Sequence, residues 1–275
     1  MANTTQIELG SVVSLWRYPV KSMMGEELNA VEVTDRGLLG DRAYALRDPS
    51  NGKVVSAKNP RKWAKLFDFR ADFAESPRAR EKIPPVRITL PDGSLVTSEQ
   101  RDLNKLLTDA LGREVTLAAT APETPSLEEY WPDMEGLDHR ETVTDEAMPA
   151  GTFFDLAVIH VLTTATIDRL RELYPQGRFE ARRFRPNIVV QPASAEKDFL
   201  EDAWVAHTLV IGDEVRLNVT GSCPRCVMTT LAQGDLPRDR GILRTAAQHN
   251  QVNVGVYAAV IRGGTIRRGD PVRLE

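Results

Sequence analysis

Residues 208–230 read TLVIGDEVRLNVTGSCPRCVMTT, and their pattern decides what kind of fold surrounds the two cysteines of the chain. Thr208–Ile211 and residues 215–220 are short runs of apolar and β-branched residues of strand length, with Gly212-Asp213-Glu214 between them. The pair Cys223-Pro224-Arg225-Cys226 follows at once. A redox dithiol of this spacing sits between a strand and a helix in a βαβ unit, where the helix N-terminus acidifies the first thiol. Here Val227-Met228-Thr229-Thr230 runs on into Gly234 and Pro237, so the sequence predicts no helix at the second thiol. The cysteines belong to a β context.

The same pattern extends in both directions. Towards the N-terminus, residues 12–18, 28–33, 43–47 and 53–57 are strand-like, separated by Asp35-Arg36-Gly37, Gly40-Asp41 and Pro49-Ser50-Asn51-Gly52. Arg61 to Leu66 fits one helical turn, and the charged, proline-bearing residues 75–85 form a surface loop. Residues 86–90 and 95–97 flank Pro91-Asp92-Gly93 as a hairpin. Leu103, Leu106, Leu107, Ala110 and Leu111 form one helical stripe, stopped by Gly112. Residues 119–126, ATAPETPS, read as a linker.

Beyond the linker, residues 156–162 are a continuous apolar strand. Thr163 or Thr164 then caps a helix with Ile167, Leu170 and Leu173 inward, ended by Tyr174-Pro175. Strands at 187–191, 252–261 and, after Gly263-Gly264, 272–274 complete the reading. Many short strands with few helices predict a mostly β fold with peripheral helices, of the α+β class, built on barrels. The linker divides it into domains at 8–120 and 127–275.

Composition narrows the function. The chain has 275 residues, 41% of them hydrophobic, enough for a full core without disulfide staples. A net charge of −4 gives no global field to recruit nucleic acid or an anionic membrane, so an anionic ligand needs a local cluster of cations. The sequence shows no membrane-length apolar run and no signal-like start, which predicts a cytoplasmic protein. Two cysteines are too few for a disulfide framework or an all-cysteine zinc site, and the four histidines are not spaced in pairs. That leaves a redox pair, two inert buried thiols, or one thiolate on a metal. Arg225 beside Cys226 predicts a lowered thiol pKa, and a lone thiolate suits a metal whose other ligands come from a cofactor.

Cys223-Pro224-Arg225-Cys226-Val227-Met228-Thr229-Thr230, Arg185-Pro186-Asn187 and the C-terminal stretch from Gly264 to Val272 together resemble the MOSC domain. Tyr18-Pro19-Val20-Lys21-Ser22 and Gly40-Asp41-Arg42 resemble the β-barrel domain that precedes it in the branch containing the mitochondrial amidoxime-reducing component and its bacterial relatives. The resemblance implies a molybdenum cofactor (Mo-molybdopterin) between the two domains, with Cys226 as the metal ligand. It implies Lys21, Ser22 and Arg42 as cofactor contacts from the first domain, and Asp155, Arg185 and Tyr257 from the second. It further implies reduction of N-oxygenated small molecules, with electrons from a separate donor protein such as a flavin reductase or a small iron–sulfur or haem protein. A non-catalytic carrier of the cofactor or of sulfur would use the same residues, whereas a thiol–disulfide protein would need Cys223 as much as Cys226.

Read singly, each residue fits a plainer place: Lys21 a turn, Arg42 a strand start, Arg185 a surface ion pair, Asp155 a turn cap, Tyr257 the core. Three positions depart from the family pattern. Pro224 stands where relatives carry a serine, and Leu156 and Ala157 stand where they carry hydroxyls. The segment between Cys226 and Tyr257 is also shorter.

Overall fold

The computed structural model describes residues 7–137 and 139–275. Seven strands close a barrel: β1 (Ile7–Arg17), β2 (Ile159–Thr163), β3 (Ile188–Pro192), β4 (Thr208–Ile211), β5 (Val215–Pro224), β6 (Asn253–Arg262) and β7 (Pro271–Leu274). The ring order is β3-β2-β6-β5-β4-β7-β1, and β1 pairs back onto β3, which leaves no edge open in the ring. Pairing is antiparallel throughout except between β2 and β3. That parallel pair needs a crossover, which the helix Thr164–Leu173 supplies, with Thr163 Oγ accepting from Thr166 N as its N-cap. Period-two burial fills the barrel: Val215, Leu217 and Val219 of β5 join Leu15, Ile159, Ile188 and Val256 in one core.

The two parts of the chain exchange strands. β1 precedes everything else in the structure yet sits between β3 and β7 of the barrel. In return Gly264–Arg267 leaves the barrel to pair with Ala30–Thr34. A second core around Phe69, Leu66, Ile88 and Leu107 lies under the sheet of Arg70–Phe73, Val86–Thr89 and Leu95–Thr97 and the helix Leu103–Leu111. Gly112 ends that helix in the left-handed region, its N–H donating to Thr108 O.

The structure adds and moves elements. Ser126–Trp131 and Thr142–Ala147 form a hairpin docked on the first part through Val54 N to Ser126 O and Tyr130 N to Lys58 O. Gly241–Asn250 is a helix packed through Ile242 and Ala246 in one cluster with Leu162 and Val254 of the barrel and Leu170 of the crossover helix. The strand expected at 156–162 begins only at Ile159, and Leu156 is 64% exposed. Residues 53–57 contribute one bridge, Val54 with Arg47, rather than a strand. A single 3-10 turn, Val227–Thr230, follows Cys226 where no helix was expected. Among the described residues no helix is long and apolar enough to cross a membrane.

His160 on β2 is buried, with Nε2 3.1 Å from Val254 O, so Nε2 carries the proton of a neutral ring. Burial first, then the nearby Arg225 guanidinium, push its pKa down to about 3. Gly255, at φ +84°, gives the ring its room, because a Cβ there would run into His160 Nε2 and Val161 O. Gly255→Ala is expected to cost about 2–4 kcal/mol by strain plus collision. Gly93→Ala, equally left-handed but facing open space, should cost only about 1–2 kcal/mol in the same denaturant titration. Because the folded pKa of His160 lies below its unfolded value, protons favour the unfolded chain. Stability should therefore fall as pH drops below about 6.5, with a slope approaching about 1.4 kcal/mol per unit. His160→Gln should remove that slope between about pH 6 and 4.5.

Candidate functional site

A cleft of about 730 Å³ of empty space, open mouth included, lies where the barrel meets the second core. Lys21, Ser22 and Arg42 enter it from the first part of the chain, and Asp155, Arg185, Cys226 and Tyr257 from the second. All seven residues selected from the sequence line this one cleft. Pro224, Leu156 and Ala157, the three departures, line it too.

Turn geometry aims the side chains. Ser22, Arg42 and Arg185 have φ of 64°, 48° and 53°, a region costly for residues with a Cβ. Asp41 explains how two of them are held. Its side chain is fully buried, accepting from Tyr18 N at 2.7 Å and Asn187 Nδ2 at 2.9 Å and pairing with Arg42. The Tyr18 ring lies between two guanidiniums, 4.5 Å from that of Arg42 and 4.1 Å from that of Arg185. Its hydroxyl donates to Pro186 O, and Arg185 Nη1 donates to Met23 O at 2.7 Å. Burial, then the charge of Arg42, lower the Arg185 pKa to about 10, so it remains a cation at neutral pH.

Lys21 Nζ donates to Phe153 O at 2.8 Å and pairs with Asp155. Burial alone would raise the Asp155 carboxyl, but Lys21 and Lys58 outweigh it and hold it well below the usual carboxylate range. Ser22 Oγ accepts from Ala57 N at 3.1 Å, leaving its own proton to give. Lys58 Nζ lies 2.9 Å from Glu129 Oε2 and 3.5 Å from Asp155 Oδ2. Five cations (Lys21, Arg42, Lys58, Arg185 and Arg225) thus meet three carboxylates (Asp41, Glu129 and Asp155), an excess of two positive charges. Arg185 Nη2 and Arg225 Nε are buried without a hydrogen-bond partner.

The cysteines occupy different surroundings. Cys223 is fully buried near the end of β5, where Arg225 donates to its Sγ and to Phe184 O. Cys226 is only partly buried, faces the cleft, and packs with Met228 and Leu231 onto the second core. The expected acidic thiol at Cys226 is not found. Burial, reinforced by Glu129, pushes it up to about 11, and Lys58 and Arg225 only partly offset this. Adjacency in sequence misled, because the guanidinium hydrogen-bonds the other sulfur. A metal here would have to displace the thiol proton. Among the described residues no three His, Cys, Asp or Glu side chains converge on a metal site, so Cys226 would need companion ligands from a cofactor.

Sequence reasoning passed over Tyr18 and Asp41, though both lie in quoted motifs; neither lines the cleft, and both act by holding residues that do. Lys58 and Glu129 carried no signal. They stand in unremarkable segments, and only the docking of the hairpin brings them together.

The MOSC domain family matches residues 150–273, and the MOSC N-terminal beta barrel domain family matches residues 9–82. Mitochondrial amidoxime reducing component 2 of Rattus norvegicus is 26% identical over 96% of this chain and 83% of its own length. Molybdenum cofactor sulfurase of Oryza sativa subsp. japonica is 25% identical over 90% of this chain and 31% of that protein. Among solved structures, the YUAD protein from Bacillus subtilis aligns at a TM-score of 0.49 and 11% identity, over 98% of this chain and 97% of that one. The chain therefore carries a MOSC N-terminal beta barrel domain, at residues 9–82, ahead of a MOSC domain at residues 150–273.

Proposed function

We propose that the cleft holds a pterin-based molybdenum cofactor with Cys226 as the protein's metal ligand, and that the protein is an oxidoreductase acting on N-oxygenated small molecules. The observation that carries this reading is the convergence of an excess of two positive charges and two unpartnered guanidinium nitrogens on a cleft that the thiol of Cys226 also lines. The terminal phosphate of a pterin carries about −1.5 to −2 charges at neutral pH, which matches that excess. When bound, the cofactor supplies two-electron redox chemistry at its metal.

The residues of the chain bind and orient. Arg185 offers a planar fork with one nitrogen still free, and Arg42 and Lys21 add charge beside it. Asp155, kept ionised by two ammonium groups, is an acceptor for ring N–H donors. Ser22 offers a hydroxyl, and Tyr257, edge-on to His160 at 6.1 Å between centroids, walls the barrel side. In this reading electrons come from a separate donor protein, and the protein works in the cytoplasm. The names of the relatives support both a reductase and, through the sulfurase, a carrier of cofactor or sulfur that would use the same residues.

Purified from a host that makes the cofactor, Cys226→Ala is expected to hold less than about a tenth of the wild-type molybdenum, while Cys223→Ala keeps most of it. Equal metal in the two variants would overturn the assignment. With loaded protein and an artificial reductant, turnover of an aromatic amidoxime is expected to vanish in Cys226→Ala. Full metal content without turnover on any N–O substrate would favour the carrier.

A further inference from the structure

The hairpin of Ser126–Trp131 and Thr142–Ala147 lies outside both family matches, yet it grips one residue of the cleft twice. Tyr130 N donates to Lys58 O at 2.9 Å, fixing the backbone. The preceding residue, Glu129, accepts from Lys58 Nζ at 2.9 Å, fixing the side chain. Glu129 is itself buried, and burial raises its carboxyl pKa against the pull of Lys58.

A buried ion pair is an uneconomical brace between two surfaces, because apolar side chains of similar size hold as well without the desolvation penalty. The geometry of Lys58 indicates another use. Its ammonium has three protons. One goes to Glu129, while Asp155 Oδ2, at 3.5 Å, is a longer ion-pair contact, Lys21 being paired with the other oxygen of that carboxylate, Oδ1. With one hydrogen bond to Glu129 and one loose ion pair to Asp155, the three-donor ammonium keeps bonding capacity to spare in the cleft that it lines together with Cys226.

We propose that Lys58 is a further anchor for the anionic group bound in this cleft, and that Glu129 of the hairpin holds it in position. The inference rests on the cofactor reading above and adds to it a residue of this chain that no motif marks.

The test compares wild type with Lys58→Gln, Lys58→Arg, Glu129→Gln and the exposed control Lys105→Gln, all purified from a cofactor-making host. Molybdenum and oxidised pterin per chain are followed during dialysis at rising salt. Lys58→Gln is expected to lose both about tenfold faster than wild type, the effect of one charge-assisted hydrogen bond. Lys58→Arg should restore most of the retention, Glu129→Gln should fall between, and Lys105→Gln should match wild type. Protein from a host lacking the cofactor should melt at the same temperature for wild type and Lys58→Gln, within a few degrees. Wild-type retention in Lys58→Gln would overturn the anchor, and so would a loss matched by a large fall in melting temperature. Wild-type retention in Glu129→Gln would overturn the role of the hairpin. Wild-type protein without molybdenum would sink the cofactor reading itself, a distinct result.

Discussion

The buried carboxylate of Asp41 is the interaction on which the rest of the site depends. It joins the backbone of Tyr18, the side chain of Asn187 and the guanidinium of Arg42, three groups from separate stretches of the chain. Around it the cations Arg42 and Arg185 flank one tyrosine ring, a placement their mutual repulsion opposes. One shielded anion beneath the ring offsets part of that repulsion and satisfies two further donors. Removing a partner from such a buried arrangement typically costs about 3–5 kcal/mol, because the remaining charges stay out of water without compensation. The cleft is a charged cavity built over a counter-ion.

The backbone shows the same preorganisation. Ser22, Arg42 and Arg185 stay in the left-handed region although each carries a Cβ, at a cost of order 1–3 kcal/mol apiece. Packing and hydrogen bonds around them supply the compensation, and in return the side chains are aimed before any ligand arrives. Strand exchange makes the frame stiff. β1 runs from the barrel into Tyr18 and Lys21, so one stretch of the first part's wall hangs from the same sheet as the barrel wall.

Much of this was legible in the sequence. The barrel strands announced themselves as short apolar and β-branched runs, with Thr208–Ile211 found to the residue, and the helix Leu103–Leu111 by its stripe and its glycine stop. The cleft residues were readable because short ordered motifs carry them. What stayed hidden was tertiary in origin. The hairpin at Ser126–Trp131 is masked by Glu128 and Glu129, which look solvent-facing but pair with lysines of another segment. Leu156 looks like a strand residue, but the strand begins only three residues later. Arg225 sits next to Cys226 in the chain yet serves Cys223, so the thiol pKa could not be read from neighbours.

The pairing of β1 with β7 sets Ile7 opposite Leu274, the most distant register in the structure. Contacts of such high sequence separation are entropically late, and folding slows as their share grows. The barrel can therefore form its inner hairpin of β4 and β5 early but must wait for the first strand to find the last. The turn bearing Lys21 and Ser22 is fixed against Arg185 only once β1 also pairs with β3, Leu15 opposite Ile188, another contact of high sequence separation, so the cleft is among the last features to mature.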